Sequence, residues 1–128
     1  MVLAAALVGG PLSSDAPVPA SLAGNPVRGQ QIATSRSVGL CVLCHAVPGV
    51  PAAHAGTLGP DLAGVGARHT RAALRERVLY PERFNVQTVM PSPVRTDGLH
   101  RVAAAREGRP LLDAQQVEDL LSWLETLK

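Results

Sequence analysis

Gly39-Leu40-Cys41-Val42-Leu43-Cys44-His45 (GLCVLCH) carries both cysteines of a 128-residue chain, with a histidine directly behind the second. Four chemistries use a C-x-x-C pair: a disulfide, a redox dithiol, half of a zinc site, or an anchor for something larger. A structural zinc takes four ligands, usually as two paired sets. Here one C-x-x-C stands alone, and His54, His69 and His100 form no H-x-x-x-H partner. A thioredoxin-like dithiol follows a strand and opens a helix, whereas Pro48-Gly49-Val50-Pro51 comes next and breaks helices. A plain disulfide suits an exported protein but leaves His45 without a role.

The composition bears on the fourth possibility. Hydrophobic residues make up 46% of the chain, so it is not disordered, yet its only aromatics are Tyr80, Phe84 and Trp123. Aromatic side chains normally bring the largest buried areas to a core. A small fold with twelve glycines and eleven prolines needs another source of burial, which a large apolar prosthetic group would supply; an alanine–leucine bundle is the alternative. The net charge of +2, with no Lys/Arg cluster interleaved with aromatics, argues against nucleic acid as a partner. Acidic residues gather near the end (Asp113, Glu118, Asp119, Glu125) and arginines between 68 and 108. That asymmetry could guide docking; the favoured reading is a solvated face.

Outward from the motif, the chain divides into short helices and long loops. The opening MVLAAALVGG and the small-residue site Val18-Pro19-Ala20 resemble an export signal, although no Lys or Arg precedes the apolar run. Residues 1–20 are therefore expected to be a signal peptide or disordered tail, and residues 21–128 one domain. Nothing approaches the roughly 18 apolar residues of a membrane span, so no permanent anchor is expected. Asn25 as N-cap and Pro26 at the first position predict a helix to about Ser35. Gly29 inside it costs about 1 kcal/mol relative to alanine and is best explained by close approach of another element.

Residues 47–67 are too rich in Gly and Pro for regular structure, and a loop of that length is expected to wrap something. A second helix starts near Thr70 and ends by Tyr80, before Pro81; residues 85–110 are irregular again. Asp113 with Gln116 resembles a capping box, and Val117, Leu120, Leu121, Leu124 and Leu127 then make one apolar stripe. No strand pattern or internal repeat is evident, so the fold class is all-α, with three or four helices.

The fourth reading of the motif is C-x-x-C-H, the attachment site of a c-type haem. The thiols of Cys41 and Cys44 add to the two vinyl groups, and the adjacent His45 supplies an axial nitrogen to the iron. A second axial ligand should lie far along the chain. Apart from Met1 the only methionine is Met90, in a non-helical stretch just before Pro91. Methionine opposite histidine raises the reduction potential and suits electron transfer. His54, His69 and His100 are the competing ligands.

The order of N-terminal helix, CVLCH, GPDLAGVG loop, middle helix, Met90-Pro91 loop and C-terminal helix resembles the class I cytochromes c over residues 25–127. The resemblance implies three or four helices wrapped around one covalently bound haem c. It implies Gly29 against Trp123, and the carbonyl of Pro60 on the second nitrogen of His45. GNPVRGQQIA, CVLCHAVPG, LGPDLAGVGAR, TVMPSPVRTDGLHRVA and GRPLLDAQQVEDLLSWL are more specifically similar to the SoxX family, the monohaem subunits of SoxAX complexes in bacterial thiosulfate oxidation. The family's usual aromatics after the Met-Pro pair are replaced here by Pro93-Val94. The implied site is Cys41, Cys44, His45, Met90 and Pro60. Implied partners are a larger SoxA-like haem subunit, in a heterodimer, and a soluble cytochrome acceptor. The implied location is the periplasm, and sulfur-bond formation falls to the larger subunit, so no catalytic residue is expected here. The alternatives are a free-standing electron carrier, a haem enzyme with an open sixth position, and a small binding module with a disulfide.

Overall fold

In the computed structural model, which describes residues 22–128, four α-helices carry the chain. They are α1 (Pro26–Thr34), α2 (Val65–Arg68), α3 (Arg71–Leu79) and α4 (Ala114–Thr126). Single 3-10 turns at Cys41–Leu43, Ala52–His54, Pro81–Arg83 and Ala104–Arg106 punctuate the loops, and no strand occurs among the described residues. The expected export segment, residues 1–20, lies outside the described residues.

The helix starts follow their caps. The Asn25 side chain accepts from the backbone N–H groups of Val27 and Arg28, with Pro26 at the first position. Thr70 caps α3 through Ala73 N–H. Asp113 and Gln116 form the expected capping box on α4. Each satisfies backbone donors that the first turn of a helix leaves without an internal partner.

The crossing of α1 and α4 is the principal contact of the fold. A methyl group at Gly29 would fall 2.7 Å from both the Asp119 carbonyl carbon and Trp123 Cβ, closer than real side chains approach. The interior glycine is thus explained: it lets two backbones touch. Trp123, only 4% exposed, packs there with Ile32, Ala33, Leu120, Leu121 and Leu124, and Leu74, Val78 and Leu79 extend the core to α3. The core is aliphatic apart from this one indole, while Phe84 is exposed.

Two features depart from the sequence reading. Residues 65–68 form a helical turn inside the expected loop. Gly66 seats that turn on the end of α4, where its N–H donates to the Leu127 carbonyl at 2.8 Å. Glu118 and Asp119 are not on a solvated face either; they are 1% and 2% exposed. Arg28 grips Asp119 through two bonds of 2.7 and 3.0 Å, and Asn25 N–H adds a third at 2.7 Å. Arg71 and Arg75 both pair with Glu118 at 2.7 Å, and Arg71 also pairs with Glu125. A charge is buried only where partners offset its lost hydration, and these arginines supply them.

The Arg28 hydrogen bond, helped by Asn25 and Gln115, holds the Asp119 carboxyl below its usual range against the opposing effect of burial. Burial alone would raise Glu118, but the hydrogen bonds of Arg75 and Arg71 outweigh it and lower the carboxyl.

Candidate functional site

The motif is presented by a strained turn. Leu40 sits at φ 64°, ψ 1°, a left-handed conformation that costs a side-chain-bearing residue roughly 1–2 kcal/mol. Its N–H donates to Ser35 and its carbonyl accepts from Leu43, each at 3.0 Å. The chain then winds one 3-10 turn, Cys41–Leu43. The Cys41 carbonyl accepts from Cys44 N–H at 3.1 Å and from His45 N–H at 2.9 Å. That double acceptance fixes both thiols and the imidazole on one short arc. Val42, between the cysteines, points into the core and is buried.

The Gly/Pro-rich loop wraps this arc. Gly56 N–H donates to Val42, Gly59 N–H to Cys44 and Leu62 N–H to Ala46, at 2.9, 2.7 and 3.0 Å. The loop ends against His45, whose Nδ1 lies 2.6 Å from the Pro60 carbonyl. A carbonyl only accepts, so Nδ1 carries the proton and Nε2 keeps its lone pair free for a metal. The flat ring lies on Gly59, where an added methyl would come within 2.7 Å of ring nitrogen Nε2.

Both cysteines are free thiols and half-buried. Burial pushes the Cys41 thiol up to about 11; the hydrogen bond to its own backbone lowers it, and the Cys44 charge raises it further. The attacking thiol of a redox dithiol is shifted the other way. No group of three or more His, Cys, Asp or Glu able to hold a metal ion occurs among the described residues.

Met90 lies on the other long loop, half-buried, with its N–H donating to Thr88 Oγ1 at 3.1 Å. That loop is pinned below it: Leu112 N–H donates to Pro93 at 2.9 Å, and Arg95 pairs with Glu82 at 2.8 Å. No hydrogen bond joins Met90 to the motif arc among the described residues. Of the competing histidines, His54 and His100 are exposed and His69 caps the end of α2. Cys41, Cys44, His45 and Pro60 are therefore assembled in one place, while Met90 stands on a separate loop. Gly59 and Leu40 belong to the site as well. The Gly-Pro pair pointed to the first, whereas no compositional signal marks the second.

The residues fit a haem attached through thioethers. The donor set is two free thiols three positions apart with an imidazole lone pair beside them, and Gly59 leaves a cradle for the ring. Among the described residues, six of the eight exposed large apolar side chains (Leu43, Leu58, Phe84, Val86, Val89 and Leu99) belong to the two loops bearing His45 and Met90. Exposed apolar surface concentrated in this way marks a binding site.

The family model described as Cytochrome c matches residues 26–128. The chain is also similar to a solved structure, SoxXA from P. pantotrophus. It shares 35% identity with that protein over 88% of this chain and 88% of that one, with a TM-score of 0.76. No match was found among curated proteins. No helix of the described residues is long and apolar enough to cross a membrane.

Proposed function

The chain belongs to the cytochrome c family, with covalent haem c as its cofactor, and from that premise we propose that it is the monohaem electron-transfer subunit of a SoxAX-type complex in thiosulfate oxidation. The likeness to SoxXA supports a larger SoxA-like haem protein as its partner, in a heterodimer. In this reading a soluble cytochrome accepts the electrons. Residues 1–20 act as an export signal that places the protein in the periplasm.

When bound, the haem supplies a one-electron iron couple. Cys41 and Cys44 would hold it covalently, and His45 Nε2 and the Met90 sulfur would be its iron ligands. Pro60 orients His45 by accepting its Nδ1 proton, which also raises the basicity of the ligand. Met90 raises the potential. With His45 and Met90 both bound to it, the iron would offer no site to substrate. With both thiols consumed, the chain offers no cysteine nucleophile for sulfur transfer. The role left is relay of electrons away from a catalytic partner.

The hydrogen bond from the motif's His45 to Pro60 carries this reading, because it commits one imidazole nitrogen and leaves the other as a ligand. Intact mass under denaturing conditions tests it. One covalently added haem is expected, together with a low-spin ferric spectrum and co-purification with a larger haem protein. Colourless protein with two titratable thiols would sink the haem assignment. A haem protein that purifies alone would instead favour a free-standing carrier.

A further inference from the structure

Eleven arginines and one lysine supply the cationic side chains of the chain. Eight of the arginines are engaged. Arg28, Arg71, Arg75, Arg83 and Arg95 pair with carboxylates. Arg36 and Arg68 donate to backbone carbonyls, and Arg77 lies over the Phe84 ring at 4.3 Å. Lys128 donates to the Gly66 carbonyl at 3.0 Å. The other three, Arg101, Arg106 and Arg109, have no ion pair and no side-chain hydrogen bond among the described residues. All three line one groove of about 420 Å³, with Thr96, Leu99 and Glu107 beside them.

The backbone gathers these cations. Arg101 adopts φ 57°, a left-handed conformation that a branched-out side chain takes only at a cost. Arg106 ends a 3-10 turn, and Arg109 N–H donates to the Arg106 carbonyl at 3.1 Å, which folds the two into one reverse turn. Three guanidinium groups around one concavity repel one another unless an anion joins them. Three arginines less Glu107 leave the lining at +2, the charge that a dianion neutralises.

We propose that this groove binds a small dianionic oxoanion, of the sulfate, thiosulfate or phosphate class. The planar guanidinium fork matches two oxygens of a tetrahedral anion, which no spherical halide can reproduce. The Thr96 hydroxyl adds a neutral donor. Leu99 and Val102 add apolar side chains to the lining. The groove contains none of Cys41, Cys44, His45, Pro60 or Met90, so the proposal does not depend on the electron-transfer reading.

The test is an amide-resolved NMR titration of the haem-loaded protein with sodium sulfate, thiosulfate and phosphate, at ionic strength held constant with sodium chloride. Saturable shifts centred on residues 96–109 are expected for at least one of the three, and none for chloride alone. The double variant Arg101→Gln/Arg109→Gln should weaken binding about ten-fold or more, since each lost contact is charge-assisted. Glu107→Gln should tighten it, by removing the one repulsive carboxylate. All these residues except Leu99 and Val102 are polar and on the surface, so an unaltered visible spectrum confirms that the variants fold; should the double variant fail, the direction of the Glu107→Gln effect decides. Unsaturable shifts equal to those of chloride, or unchanged affinity in both variants, would overturn the proposal. So would shifts that appear only with the larger haem subunit, which would make the groove a protein-docking patch.

Discussion

The His45 ring is held from two sides, by the Pro60 carbonyl at its edge and by Gly59 beneath its face. Gly59→Ala places a methyl 2.6 and 2.7 Å from the ring nitrogens, so the imidazole must swing away from Pro60. Overpacking of this kind should cost about 1–3 kcal/mol, read as a lower guanidinium midpoint together with a shifted ferric spectrum. Met90→Ala should keep haem attachment intact while turning the iron from low to high spin. An unchanged spectrum would hand the ligand role to His54, His69 or His100. The motif was legible because thioether attachment fixes residue types at a fixed local spacing, and Gly59-Pro60 because the resemblance placed it opposite His45. Leu40 was not: a left-handed turn in a leucine is imposed by the Ser35 and Leu43 hydrogen bonds around it and leaves no mark in composition.

At the scale of elements, the α1–α4 crossing was readable from a single glycine, because a residue that weakens its own helix invites the question of what lies against it. Gly29→Ala should part the helices and destabilise by about 1–3 kcal/mol, and Trp123→Ala by about 3–5 kcal/mol. Since both act on one contact, the double variant should lose less than the sum of the singles. Urea denaturation of the three variants measures this, and strict additivity would mean that the contact is not shared. Helix α2 escaped notice because its four residues lie among glycines; what fixes it is Gly66 against the far end of α4, a tertiary contact. Glu118 and Asp119 misled for a related reason. Two acids on an amphipathic helix look solvated until Arg71 and Arg28, 47 and 91 positions away, come to meet them.

Those buried acids give the whole molecule a pH signature. Both carboxyls are lowered in the folded state, so near their ordinary values of about 4 the unfolded chain binds more protons than the native one. Stability therefore rises with pH through that window and is level above about pH 5. As pH falls through the folded values it is lost. The urea midpoint followed from about pH 7 down to pH 3 should fall on the acid side, and the fall should shrink in Asp119→Asn. A flat profile in the parent protein would mean that the two acids do not titrate as their partners dictate.

The meeting of Gly29 with Trp123 also dictates when this protein can mature. A contact between Gly29 and Trp123 spans 94 positions, and closing so long a span must precede its reward. A chain truncated before α4 is therefore expected to lack this crossing and to hold its earlier helices only loosely.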